Sequence, residues 1–229
     1  MKYSRFVCLF AVTLAVVTTP RASGQTPELQ KGVTVQLAET SNAVAFPEAD
    51  EADAWIVTVT AHGRFYFGVK PVTPERLLEE MKMTPRRRDA RLYIKADARA
   101  PFAALAQVLH AAHEELFATA VLLAQEPQNQ PPREFVPPYG LEVNLSLPSA
   151  KPILVQLLGS GSATPKLKVN DQEIMWSELQ HALAQSSRGQ RSKLVVIEAD
   201  KNLPTAPVIR VIDVSRSVGA ATALSLMDF

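Results

Sequence analysis

Two stretches of this chain are the same pattern written twice, and that duplication constrains the fold more than any local propensity does. Leu92-Tyr93-Ile94-Lys95-Ala96-Asp97 corresponds to Val195-Val196-Ile197-Glu198-Ala199-Asp200, an offset of 103. The same offset sets Pro101 on Pro204, Leu105 on Val208, Val108 on Val211, Leu109 on Ile212, Thr119 on Thr222 and Leu123 on Leu226, with no gap. Upstream, Val72, Leu77 and Met81 match Ile174, Leu179 and Leu183 at an offset of 102. Between the copies, EPQNQPPREFVPP (residues 126–138) holds five prolines and no hydrophobic period. Proline removes backbone donors and favours extended chain, so this stretch reads as a semi-rigid linker. The expected organisation is a first unit over 33–125, a Pro-rich linker over 126–140 and a second unit over 141–229.

Each copy reads as a small α+β unit: a short mixed sheet with two helices packed on one face. In copy one, Ile56-Val57-Thr58-Val59-Thr60 is rich in β-branched residues, as strands are. Ala61-His62-Gly63 turns the chain into a second strand over Arg64-Phe65-Tyr66-Phe67, glycine allowing a tight hairpin. Thr73-Pro74-Glu75 is a helix start: hydroxyl cap, proline at the first helical position, then an acid. The helix runs from Pro74 to about Met83, with Leu77, Leu78 and Met81 on one face. Leu92 to Ile94 is a buried strand. A second helix follows from Pro101 to about Phe117, its stripe being Phe102, Leu105, Leu109, Ala112 and Leu116. Ala120 to Leu123 closes the unit. Copy two repeats this with a longer hairpin loop at Gly159-Ser160-Gly161-Ser162, and helices starting near Trp176-Ser177-Glu178 and near Pro204. Extended lead-ins, Val33 to Leu37 and Leu141 to Leu147, precede the two copies.

The N-terminus is of another kind. Lys2 and Arg5 precede an apolar run from Phe6 to Val17, then Thr18-Thr19-Pro20 and the small residues Ala22-Ser23-Gly24. Basic, apolar, small is the order of a secretory signal peptide. Phe6 to Pro20 is 15 residues, short of the roughly 20 that a spanning helix needs. Residues 1–24 are therefore expected to be a signal peptide removed after Gly24, or else a short membrane anchor; both send the remainder across the membrane. The single cysteine, Cys8, lies in this run and can form no internal disulfide. The whole chain carries 24 bases and 23 acids, too balanced to hold a nucleic-acid backbone. Without Lys2, Arg5 and Arg21, 21 bases would face 23 acids, a net of −2.

Ala199-Asp200-Lys201-Asn202-Leu203-Pro204, followed by Val208, Val211-Ile212-Asp213 and Gly219, resembles the ExbD/TolR family of biopolymer transport proteins. The lead-ins Val33-Thr34-Val35-Gln36-Leu37 and Leu145-Ser146-Leu147-Pro148 are similar to that family's entry into its periplasmic domain. The resemblance implies a non-enzymatic partner of a proton-conducting motor protein, in the periplasm or held at the inner membrane, touching an energy transducer, another protein or peptidoglycan. It also implies that domains of this kind pair between subunits, so one chain with two copies is expected to form an internal pseudo-dimer or a homo-oligomer. The family's usual membrane helix carries one aspartate, whereas residues 6–20 contain no acid. A carboxylate inside a bilayer is costly and is kept for proton traffic, so no proton-pathway residue is assigned here. The alternative reading is a free periplasmic tandem module that binds cell wall or protein without any proton-transport role.

Candidate chemistry is sparse. Asp97 and Asp200 are the repeated acids; without paired acids beside them, they are expected to end a strand and organise the following turn. His110, His113 and Glu114 share a helix, but histidines three apart are not the zinc-protease spacing, and copy two has Asp213 and Arg216 at the matched positions. A solvated helix flank is expected, as for His62 and His181, which add no cluster. Arg86-Arg87-Arg88, with Arg91 and Lys95, is the one basic run; copy two keeps Arg188, Arg191 and Lys193. It is expected to be a solvated loop after a helix C-terminus, with anionic polymer or lipid as the competing reading. The 159–162 loop lacks the lysine of a phosphate-binding loop, and no serine sits in a nucleophile elbow. No catalytic, metal-binding or cofactor-binding residue is assigned.

Overall fold

Runs of five or six residues dominated by Val, Ile, Leu and Ala form the centre of each half, and they are buried on both faces. Such runs suit parallel strands with cover on either side. The computed structural model describes residues 33–85, 90–126, 137–145, 152–159, 164–190 and 193–225. In the first half, a short strand β1 (Val44–Ala45) and a 3-10 turn over Pro47–Asp50 precede β2 (Trp55–Val59), β3 (Phe65–Phe67), β4 (Lys70–Val72), α1 (Pro74–Met83), β5 (Leu92–Ala96), α2 (Phe102–Glu114) and β6 (Thr119–Ala124). The second half contains β7 (Tyr139–Asn144), β8 (Ile153–Leu158), β9 (Lys166–Val169), β10 (Gln172–Ile174), α3 (Leu179–Ser186), β11 (Leu194–Ala199), α4 (Thr205–Ser217) and β12 (Ala221–Leu224).

The repeat is exact at the level of topology. Strand order is β4-β3-β2-β5-β6 in one half and β10-β9-β8-β11-β12 in the other. In each, a hairpin and a third short strand run antiparallel at the outer edge, and three parallel strands lie inside. The halves do not remain separate sheets. β7 lies between them, antiparallel to β6 over six pairs and parallel to β12 at Asn144 and Ala223, so that one mixed sheet of 12 strands results. All four helices cover one face. The core beneath them is continuous across the join: Val57, Ile94 and Leu122 belong to the same buried cluster as Leu141, Val143, Val155 and Ile197.

Local signals account for most elements. Gly63 has φ +71° in the β2–β3 turn, where Thr60 and Arg64 close the hairpin. The Thr73 hydroxyl accepts the Arg76 N–H at 3.4 Å, with Pro74 at the first helical position. Three features depart from expectation. Arg64 lies just outside its strand, and the third strands β4 and β10 had no signal of their own, since Pro71 sits within β4. Proline is tolerated there because β4 is the sheet edge. Leu116 does not belong to the apolar stripe: α2 ends at Glu114, and Leu116 is 86% exposed with φ +59°. Phe117 takes the buried place instead. The chain ends the helix in a Schellman turn, with Phe117 N–H on Ala112 O and Leu116 N–H on His113 O. Copy two makes the same turn with Gly219 at φ +71°. Leu116 and Gly219 are matched positions at the repeat offset.

Candidate functional site

The repeated Ala-Asp-x-x-x-Pro segments meet face to face. Helices leave their first backbone N–H groups without intrahelical acceptors, and a side chain usually supplies one. Here the caps are Pro101 and Pro204, and neither provides a side-chain bond. The acceptors come from the other copy. Phe102 and Ala103 N–H donate to Leu203 O (2.7 Å) and Lys201 O (3.0 Å); Thr205 and Ala206 N–H donate to Ala100 O (2.8 Å) and Ala98 O (3.0 Å). Every donor and acceptor in one pair is the repeat equivalent of its counterpart in the other. Pro101 and Pro204 form an antiparallel bridge at the centre. This is the isologous contact of a two-fold dimer made within one chain. The Thr205 hydroxyl adds a bond to Ala100 O at 2.8 Å.

The two aspartates hold the turns that carry these carbonyls. Asp97 N–H donates to Val59 O and Asp200 N–H to Leu157 O, tying each turn to its sheet. The Asp97 carboxylate is buried and accepts Arg99 N–H at 3.0 Å, Arg99 Nε and Nη2 at 2.9 and 3.1 Å, and Gln36 N–H at 3.1 Å. The Arg99 side chain is the main reason its pKa lies below the ordinary carboxylate value, with the Arg99 and Gln36 backbone groups adding to it against burial. Asp200 is exposed and, among the described residues, accepts only the equivalent N–H, from Asn202, at 2.9 Å.

In the sequence Asp213 stands out only as the counterpart of His110 and as part of the run Val211-Ile212-Asp213 that carries the family resemblance, with no structural role assigned. Asp213 is 9% exposed on α4 and accepts Ser41 N–H (3.1 Å) and Asn42 N–H (2.8 Å), while Asn42 Nδ2 donates to Asp213 O. It pins the first unit's lead-in to the second unit's helix. The readable signal was an acid where copy one carries histidine, beside the apolar Ile212.

The remaining candidates do not converge. His110, His113 and Glu114 are exposed on α2, and His62 and His181 lie elsewhere. Among the described residues no group of three His, Cys, Asp or Glu could hold a metal ion. Arg86, Arg87, Arg88 and Arg191, residues 160–162 of the glycine-serine loop and most of the Pro-rich linker lie outside the described residues. Arg91 sits 5.6 Å above the Phe46 ring, and Lys193 Nζ reaches Val218 O. Lys95 corrects the expectation of a solvated basic run: it is 4% exposed, because β5 places it on the sheet face covered by the 46–50 segment. Burial lowers its pKa, against a smaller upward effect of Asp50. A groove of about 660 Å³ runs between the first lead-in and α4, where Arg210 lies 4.8 Å above the Trp176 ring and Trp176 Nε1 donates to Pro165 O.

The family model of the biopolymer transport protein ExbD/TolR matches the chain twice in tandem, over residues 6–128 and 115–226. The chain belongs to the ExbD/TolR family. Comparison with curated proteins and with solved structures gives no match. ExbD/TolR proteins are typically non-enzymatic transport proteins of the cell envelope with protein partners in the Ton/Tol system. In this ExbD/TolR chain, the segment that carried the resemblance is the one that builds the seam between the two copies. Among its described residues no helix is long and apolar enough to cross a membrane.

Proposed function

We propose that this ExbD/TolR chain is a non-enzymatic component of biopolymer transport that couples an energised inner-membrane motor complex to periplasmic or outer-membrane partners. The observation that carries the reading is the tandem family match. The paired architecture supports it: a contact that separate subunits would have to make is already closed, at the high effective concentration that a short linker gives. In this reading residues 1–24 direct the chain out of the cytoplasm, and the 33–125 and 141–229 units, joined by 126–140, work as one body in the periplasm. Residues 6–20 have no carboxylate, so the proton-carrying acid belongs to a partner subunit. That same absence favours a second reading, a free periplasmic module that binds cell wall or protein without a proton-transport role.

Fractionation and N-terminal sequencing of the native protein separate the two. Retention of Lys2 to Val17 in the inner-membrane fraction, with co-purification of a motor subunit, supports coupling. A soluble periplasmic chain beginning at Gln25 that brings down no motor subunit overturns it in favour of the free module.

A further inference from the structure

The two-fold correspondence is broken at the lead-ins. In the first unit an extended lead-in lies against the Asp97 turn: Gln36 N–H donates to Asp97 Oδ2 at 3.1 Å, and Ala98 N–H donates to Gln36 O at 2.7 Å. One residue thus offers both its backbone groups to the turn, as a residue in a strand ladder does. The second unit has a matching lead-in: Val33, Val35, Gln36 and Leu37 align with Leu141, Val143, Asn144 and Leu145. That segment is not at the Asp200 turn. It forms β7, where Asn144 pairs with Thr119 and Ala223.

Among the described residues, the second turn therefore keeps both groups that receive the lead-in but has no extended segment bonded to them. Lys201 N–H is the counterpart of Ala98 N–H, and Asp200 Oδ2 is the counterpart of the oxygen that receives Gln36. Neither has a partner among the described residues. Asp200, Lys201 and Asn202 are exposed, whereas Asp97 is covered. The two turns share one backbone contact, Asn202 N–H on Asp200 Oδ1 and Arg99 N–H on Asp97 Oδ1, whereas the Arg99 side-chain bonds to Asp97 have no counterpart at Asp200, whose Oδ2 lies beside Gly159.

We infer that the Asp200–Lys201 turn is a docking point for an extended peptide segment of a partner protein, which places one residue's N–H on Asp200 Oδ2 and the same residue's C=O on Lys201 N–H. The occupant is defined by the chain's own example, an extended run that alternates β-branched and polar residues like Val33-Thr34-Val35-Gln36. Recognition rests on backbone groups, which is the mode of strand-like peptide capture. The inference goes beyond the transport reading and holds for a free binding module equally.

The probe is a synthetic peptide with the sequence of residues 33–40, titrated into the ¹⁵N-labelled chain. The Lys201 amide resonance is expected to shift and saturate while Ala98 stays in place. Asp200→Asn, checked by circular dichroism for an unchanged fold, is expected to weaken binding about tenfold, since a charge-assisted bond becomes a neutral one. The same peptide N-methylated at its glutamine, which removes the donor, is expected not to bind. A shift at Ala98 instead of Lys201, unchanged affinity in Asp200→Asn or with the N-methylated peptide, or no saturable shift at millimolar peptide would each overturn the proposal.

Discussion

Leu116→Gly is expected to stabilise the protein, an unusual direction for replacing a leucine by glycine. Leu116 stands at the C′ position of the Schellman turn after α2 with φ +59°. A left-handed backbone costs an L-residue about 1–2 kcal/mol, from the Cβ approaching the following carbonyl. Little opposes that in packing, because the side chain is 86% exposed and its removal uncovers almost no apolar surface. Glycine's greater freedom in the unfolded chain costs roughly 0.5–1 kcal/mol. The balance is a gain of about 0.5–1 kcal/mol, or roughly 1–4 °C in Tm for a chain of this size. The chain carries its own control. Gly219 stands at the matched position with φ +71°, and a Cβ there would meet nothing within 4 Å. Gly219→Leu is therefore expected to lose stability by a similar amount through backbone strain alone. Urea melts of both variants, read as a change in midpoint at constant slope, check the pair. A neutral or destabilised Leu116→Gly protein would refute the reasoning.

Three further outcomes follow from the same geometry. Asp97, with its folded pKa below the unfolded value, contributes stability that is fully present above about pH 4 and lost as pH falls through the folded pKa; the stability difference between wild type and Asp97→Asn in urea melts should shrink over that acid window. Lys95 works in the opposite sense: burial depresses its pKa, so the unfolded chain binds the extra proton and wild-type stability should rise as pH increases from the folded pKa toward about 10.4. Lys95→Met should abolish that alkaline rise, as monitored by thermal melts across the alkaline range. Gly140 lies in β7 at the join, where a Cβ would come within 2.5 Å of Val121 Cγ1 and 3.1 Å of Leu122 O; Gly140→Ala should cost about 1–3 kcal/mol by overpacking, seen as a lowered denaturation midpoint, and no loss would mean that β6 and β7 are not in close register.

The repeat made each unit's elements readable, because apolar period, the Thr73-Pro74 cap and the Gly63 turn are local signals. The join was not readable in the same way. Nothing within Tyr139–Asn144 distinguishes a strand that closes its own unit from one inserted between β6 and β12; that choice depends on partners distant in sequence. The reciprocal caps were likewise hidden, although the absence of any Ser, Thr, Asp or Asn at positions 101 and 204 was a sign that the donors needed acceptors from outside. Lys95 looked like part of a basic surface because strand alternation gives its face but not what covers that face. Leu116 fitted a helical period, and only its alignment with Gly219 pointed to a turn. Asp97 and Asp200 read correctly as turn-forming acids, but the difference in their surroundings depends on where each lead-in went and on Arg99, whose counterpart is Asn202.

The two units form one folded body through a reciprocally capped seam. Native-state hydrogen exchange at the amides of Phe102, Ala103, Thr205 and Ala206 tests this most directly. The prediction is that all four open with one common free energy, equal to that of the core amides of Ile94 in β5 and Val196 in β11. Seam amides that exchange as freely as exposed ones, or core amides of the two units that open at clearly different free energies, would contradict it.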